Sequence, residues 1–429
     1  MSAGDSTPDD LRTRYRAVRA TTERLVAPLA VEDTVVQSMP DASPAKWHLA
    51  HTTWFFETFV LLPHVSSYRA RDERYTSLFN SYYNGVGVQF ARARRGVLSR
   101  PTLDEVRSWR RQVDDAMDAL IDALERTPDA AVHALIVLGT HHEEQHQELL
   151  LTDVKHALSE NPLEPAYTHV DRAPARESVR DTPRVAFAGG LVDVGHRGST
   201  FAFDNEGPAH RVFLDPYLIA RDLVTNGAFL RFIESDGYRR PELWLSDGHE
   251  TALREGWQAP LYWRRDDDGA WSTFTLRGRE PLDLAAPVCH LSHYEADAFA
   301  RFMGARLPTE FEWEHAAVTE DALVSSKGTL LDDARFHPDG GTGHDDGLRH
   351  LVGEVWEWTS SAYLPYPRFR TAKGAVGEYN GKFMSGQMVL RGASAFTPRA
   401  HARLTYRNFF QPEKRWQLMG IRLAYDDDN

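Results

Sequence analysis

The sequence predicts two domains of different class, a bundle of four helices followed by an irregular α+β domain. Its 429 residues exceed one ordinary domain. The first 160 or so hold long stretches with apolar residues at helical spacing. Beyond residue 183 the texture changes to Gly, Trp and short β-type runs, among them Val185-Ala186-Phe187, Arg211-Val212-Phe213-Leu214 and Met388-Val389-Leu390-Arg391-Gly392. Between them, HVDRAPARESVRDTP at 169–183 is rich in charge and proline and poor in large apolar side chains, as a linker is. The expected division is therefore 1–168, linker 169–183, and 184–429.

A first helix is expected over residues 8–29, where Leu11, Tyr15, Val18, Thr22 and Leu25 recur at spacings of three and four. Asp41-Ala42-Ser43-Pro44 then offers an N-cap followed by proline in the first turn of a second helix. That helix holds Trp47-His48-Leu49-Ala50-His51-Thr52-Thr53-Trp54-Phe55-Phe56-Glu57. Residues 66–101 lack clear periodicity, yet their aromatic content disfavours disorder, so a functional loop is expected. Thr102 opens a third helix over 103–124. The fourth spans 130–158, without Pro and with one Gly. Short helices are expected near 225–235 and 294–303.

The fourth helix contains the stretch on which the functional reading turns, His141-His142-Glu143-Glu144-Gln145-His146. Four residues on a helix turn about 400°, which sets His142 above His146 on one face. Leu135, Leu138, Leu149 and Leu150 share that face, so it is expected to turn towards a core. Imidazoles buried in an apolar stripe need partners, and a zinc, iron or copper ion supplies one. His141 points about 100° away, to a supporting place behind the pair or to solvent. The third ligand comes from the second helix, where His51 shares a face with Trp47, Trp54 and Phe55; His48 is a rival. Core histidines satisfied by carbonyls are the bland alternative.

A net charge of −13 and the absence of a long Lys/Arg block argue against nucleic acid and anionic membranes as partners. The sole cysteine, Cys289, excludes an intrachain disulfide and a cysteine-rich metal site. The polar, acidic N-terminus has no apolar signal core, and no run is long enough to span a bilayer. A cytoplasmic location is expected.

The second half resembles the formylglycine-generating, sulfatase-modifying family, through Asp204-Asn205-Glu206-Gly207-Pro208, Arg306-Leu307-Pro308-Thr309-Glu310-Phe311-Glu312-Trp313-Glu314, Gly353-Glu354-Val355-Trp356-Glu357-Trp358 and Gly420-Ile421-Arg422-Leu423. That resemblance implies a C-type-lectin-like fold. The cysteines by which formylglycine enzymes work are missing near Ile421-Arg422-Leu423, so that activity is not expected. The first half resembles the DinB-like four-helix bundle, which binds a metal through three histidines. The fusion, with Tyr406-Arg407-Asn408-Phe409-Phe410, resembles the non-haem iron sulfoxide synthases of ergothioneine biosynthesis. These join a thiol to C2 of the hercynine imidazole with O2.

The resemblance implies Fe(II) held by His51, His142 and His146, with His48 and His141 dispensable for the metal. It implies Tyr82 and Tyr83 as proton donors, Arg92 and Arg95 as the grip on the thiol substrate's carboxylate, and Gln145, Asn408, Phe409 and Phe410 as the hercynine contacts. The Ser81-Tyr82-Tyr83-Asn84 loop and the Asn408-Phe409-Phe410 ending resemble the branch that uses cysteine rather than γ-glutamylcysteine. Ovothiol-type histidine sulfoxide synthesis is a second reading. A metal-stabilised ligand-binding module without chemistry is a third.

Overall fold

The computed structural model describes residues 11–170, 182–325, 327–340 and 347–427. The chain divides into two compact units, Met1–Glu160 with Gly374–Glu378, and Asn161–Lys373 with Tyr379–Asn429. The expected helical residues 8–10 and linker residues 171–181 lie outside the described residues.

Four long helices build the first unit: α1 (Leu11–Val26), α2 (Ala45–Phe55), α3 (Leu103–Arg126) and α4 (Ala130–Ser159). The second starts at Pro44, which stands at the N-cap position itself; Ser43 instead gives its amide to Asp153 Oδ2 at 2.7 Å. It runs on into a π-turn, Phe56–Leu61. The third opens with a capping box, Thr102 and Glu105 bonding each other's backbone amides, and Asp129 caps the fourth through the amides of Ala131 and Val132. α4 packs on α1 and α2, and α2 also packs on α3.

The inward face of α4 differs from the expected leucine stripe. Val132, Ile136, Gly139, Glu143, Gln147, Leu150 and Val154 are buried, whereas Leu135, Leu138 and Leu149 are only half-buried. Apolar periodicity missed this face because its centre is a charge. Glu143, fully buried, accepts from Arg19 Nη1 at 2.9 Å, Thr22 Oγ1 at 2.6 Å and Arg110 Nη2. Two guanidiniums compensate one carboxylate, holding it down at about 2 against its desolvation.

Gly139 lets α4 approach the aromatic end of α2. A Cβ there would lie 2.6 Å from Phe56 Cε1 and 2.9 Å from Phe55 Cε1, and both rings are buried. Gly139→Ala is therefore expected to destabilise the bundle by about 1–3 kcal/mol despite its better helix propensity. A thermal melt at or above the wild-type midpoint would contradict this packing.

The second unit is α+β. Its strands are β1 (Arg184–Phe187), β2 (Gly190–Val194), β3 (His210–Leu214), β4 (Tyr217–Ala220), β5 (Trp263–Arg265), β6 (Trp271–Thr275), β7 (Gly278–Pro281), β8 (Trp356–Ala362), β9 (Met388–Arg391), β10 (Asn408–Phe410), β11 (Met419–Gly420) and β12 (Ala424–Asp426). They form sheets ordered β1-β4-β12, β10-β9-β8-β11, β2-β3 and β5-β6-β7, antiparallel except for β11 on β8. The expected helices are present as α5 (Asn226–Glu234) and α7 (His293–Phe302). Two others, α6 (Ser246–Arg254) and α8 (Glu310–Thr319), were not anticipated, although Thr309 and Glu312 form the capping box that their spacing spells.

The recurrent glutamates of the second half are scaffold. Glu310 pairs with Arg407 at 2.7 Å, Glu312 with Arg306 at 2.6 Å, Glu357 with Arg422 at 2.9 Å, and Glu314 with Arg391. Apart from Arg306, these arginines are essentially buried. Such pairs add little net stability, but losing either partner strands a charge, so they specify one arrangement of long loops.

Candidate metal centre

His51 on α2 meets His142 and His146 on α4. Within α2, residue 51 shares a face with Trp47 and Trp54, and both indoles stack on its ring at 4.6 and 5.4 Å between centroids. Phe55 stacks on His142 at 4.6 Å. His51 and His142 are buried and His146 is half-buried. One ligand atom from each of the three lies within 4.8 Å of the other two, and the Nε2 atoms of His51 and His142 stand 3.2 Å apart. Two imidazole nitrogens bound at about 2.1 Å to one ion are about 3.0–3.5 Å apart at octahedral or tetrahedral angles, so the spacing suits a shared metal.

The protonation pattern suits one too. Phe79 O can only accept, and His51 Nδ1 lies 2.5 Å from it; the ring proton is thus on Nδ1 and the lone pair on Nε2. Buried His142 Nδ1 has no partner, leaving the polar contact of that ring on its Nε2 side. Burial is the largest cause of a lowered pKa at all three, well below the ordinary value for His51 and His146 and to about 4 for His142. Neighbouring imidazoles push His51 and His146 the same way. Three neutral rings gathered in this way suit a borderline metal.

His141 is neither solvated nor part of this cluster. It is buried, with Nδ1 3.1 Å from Glu144 Oε2, which also accepts from Arg14 at 2.7 Å.

Arg95 sits one indole away from His51, its guanidinium 3.4 Å above the ring of Trp47. It is buried, and donates to Ser43 Oγ at 2.9 Å and Ser81 Oγ at 3.0 Å. Its Nε has no partner, and no carboxylate pairs with it among the described residues. Desolvation accordingly drags its pKa down to about 9. A buried cation whose hydrogen-bond partners are neutral hydroxyls is incompletely compensated. Arg92 donates to Tyr82 Oη at 2.6 Å and to the carbonyl of Asp41.

Tyr83 is buried against Trp54 and Phe59, at 5.7 and 5.0 Å between centroids, so one indole also separates it from His51. Buried Asn80 shapes this loop, accepting from Tyr83 N and donating to Tyr83 O and Gly87 O. Gln145, half-buried, precedes His146 on α4.

In the second unit, Asn408, Phe409 and Phe410 form β10 and are half-buried. Phe409 stacks on Tyr363 at 4.1 Å and on Phe383 at 5.9 Å, and Phe410 meets Trp416 edge-on at 5.7 Å. Cys289 is buried in the same unit.

Sequence reasoning passed over Asp153 and weighed His48 only as a rival ligand, and both stand beside the cluster. His48 Nδ1 is 2.9 Å from His146 Nδ1, and His48 Nε2 is 3.1 Å from Asp153 Oδ2. Asp153 lies seven residues beyond His146, two turns along the same face. That spacing was the available signal.

A four-helix bundle with a buried histidine cluster, joined in one chain to an α+β domain of short sheets and long loops, defines the class: a DinB-type helical domain with a C-type-lectin-like partner. Residues 14–150 match the DinB superfamily, and residues 170–427 match the sulfatase-modifying factor enzyme 1-like domain. Over 98% of its length the chain is 30% identical to the whole of the hercynine oxygenase of Mycobacterium tuberculosis. It is 31% identical to that of Mycolicibacterium thermoresistibile, over 91% of this chain and 89% of the other. The formylglycine-generating enzyme of Streptomyces coelicolor is 28% identical over 57% of this chain and 90% of its own. The chain belongs to the hercynine oxygenase family.

Proposed function

We propose that this protein is an Fe(II)- and O2-dependent sulfoxide synthase of ergothioneine biosynthesis that joins the sulfur of cysteine to imidazole C2 of hercynine. The reaction balances as C2–H plus S–H plus O2 giving C2–S(=O) and water: forming the C–S bond and oxidising the sulfur each release two electrons, and O2 takes all four. The observation that carries the reading is the neutral trio His51, His142 and His146, two of them buried and the third half-buried, with a guanidinium that no carboxylate pairs among the described residues one indole away. Family membership and the names of the relatives support it.

In this reading His51, His142 and His146 would hold the iron. Bound Fe(II) supplies redox chemistry with O2 and acidifies a thiol. The chain's own groups do the rest. Arg95, without a carboxylate of its own, takes the α-carboxylate of the thiol substrate, which a guanidinium fork matches; Arg92 assists and positions the hydroxyl of Tyr82. Tyr82 and Tyr83 deliver protons to reduced oxygen. Gln145 in the first unit, and Asn408, Phe409 and Phe410 in the second, are each carried over from the family resemblance as hercynine contacts; aromatic faces suit its trimethylammonium group, which cannot donate a hydrogen bond. The division into a metal-holding domain at 1–168 and a lectin-like domain at 184–429 belongs to the same reading. So does a cytoplasmic location; no helix among the described residues is long and apolar enough to cross a membrane.

Arg95→Ala is expected to raise KM for cysteine about 10–100-fold, the equivalent of a lost charge-assisted contact, and to leave KM for hercynine almost unchanged. Equal rises for both substrates would mean the loop had collapsed instead. The thiol itself is tested by supplying cysteine and γ-glutamylcysteine at equal concentration with hercynine, Fe(II) and O2. A higher kcat/KM for cysteine is expected; preference for γ-glutamylcysteine refutes the choice of thiol, and no sulfoxide from either refutes the activity.

A further inference from the structure

We infer that Asp153 and His48 form a relay that presets the tautomer of His146, making His48 a positioning residue for the metal. The inference rests on the reading of His146 as a ligand. Asp153 is buried, and its Oδ2 already accepts the amide of Ser43 at 2.7 Å, so that oxygen is fixed in place as an acceptor. His48 Nε2, 3.1 Å away, therefore bears the ring proton. A neutral imidazole has only one, so His48 Nδ1 is a lone pair. It stands 2.9 Å from His146 Nδ1, which must then donate. The last consequence falls on the other side of His146, where Nε2 is left unprotonated and free to bind.

Each step follows from the one before because an imidazole donates at one nitrogen and accepts at the other. His51 reaches the same tautomer more directly, through the carbonyl of Phe79. The buried Nδ1 of His142 has no such partner. Two of the three rings thus arrive already arranged, and the third is left to the metal. His48 lies on the same helix as His51, three residues earlier, so one helix supplies both a ligand and the support for another. On this inference His48 is not dispensable for the metal, contrary to the expectation from sequence.

Two substitutions separate a directing role from a packing one. His48→Gln keeps an amide oxygen to accept from His146 and an amide N–H to donate to Asp153, so the relay runs in the same direction. His48→Leu removes both groups. Fe(II) affinity measured anaerobically by chelator competition is expected to fall about 10–100-fold in His48→Leu and to stay within about threefold of wild type in His48→Gln. In metal-free protein with 15N-labelled histidine, His146 is expected as the Nδ1–H tautomer in wild type and His48→Gln.

Wild-type affinity in His48→Leu, an equal loss in both variants, or an Nε2–H tautomer at His146 in the metal-free wild type would overturn the relay. His51→Ala serves as the control for the underlying reading. Full iron retention there overturns the ligand assignment itself, whereas iron loss there beside an unaffected His48→Leu overturns only the relay. If His48→Leu does not fold, the comparison of His48→Gln with wild type and the tautomer in the metal-free wild type still decide the matter.

Discussion

Replacing His51, His142 or His146 by Ala is expected to leave a folded protein that retains little Fe(II) and has lost at least about a thousandfold in activity. In the proposed assignment each ring supplies one nitrogen, and an ion held by two imidazoles would lack a third fixed ligand. The bundle itself should tolerate the change. The cluster consists of neutral rings, and its packing partners Trp47, Trp54 and Phe55 belong to a larger aromatic core. Removing a buried imidazole with lowered basicity strands no charge. Melting temperature and iron content should consequently separate, the first moving little and the second collapsing. A His51→Ala protein with full iron content would transfer the ligand role to another residue, and His48 would be the first to suspect.

The opposite separation is expected at Glu143. Its carboxylate is shared by Arg19 and Arg110, all three buried. Glu143→Leu leaves two guanidiniums facing an apolar side chain, with Asp114 and Glu23 only partial substitutes. Stranding buried charge costs about 3–5 kcal/mol, which for a domain of this size lowers the melting temperature by about 6–20 °C. The same pair predicts a pH dependence. Because the folded-state pKa of Glu143 is held down at about 2 from an ordinary 4.5, its contribution is complete above the ordinary value. It is lost as pH falls from about 4.5 through 2. Glu143→Leu should therefore show a shallower acid destabilisation than wild type, together with near-normal iron content in whatever fraction remains folded. A melting temperature within about 2 °C of wild type would show that the charges are solvated after all.

Glu143 shares one motif with His142 and His146, and the three illustrate what the amino-acid sequence makes legible. The i, i+4 spacing of His142 and His146 reads directly as a shared helix face, and the helix that holds them was recognisable from its length and periodicity. The inward face was not, because Glu143 and Gln147 occupy it, the first made possible by arginines of two other helices and the second by Val18 O and Thr22 Oγ1 on α1. Apolar periodicity reports faces buried by hydrophobic contact, and this one is buried by charge compensation. The π-turn after Phe55 and the close approach at Gly139 were equally hidden, since both depend on tertiary neighbours.

In the second half, β1, β3 and β9 were visible as β-type runs, whereas the remaining strands and the order of all of them in four small sheets were not. Local runs say nothing about crossovers. The Thr309-x-x-Glu312 signature announced a helix start and was passed over as a motif alone. The choice between His48 and His51 could not be made from spacing, because both lie on the inner side of α2. Geometry separates them by their partners: His51 faces His142, and His48 faces Asp153. Arg95 was one of several arginines in a basic loop, and its burial beside two serines, with no carboxylate paired to it among the described residues, singles it out.

The most direct measurement is the product formed by the iron-loaded protein. Metal-free protein is reconstituted anaerobically with Fe(II), mixed with hercynine and cysteine, and exposed to O2, and the products are weighed by mass spectrometry. The account predicts the mass of hercynine plus cysteine plus one oxygen atom less two hydrogens, formed with consumption of one O2 and only when iron is present. Tight iron binding with both substrates recovered unchanged would contradict it and leave a metal-stabilised binding module in its place.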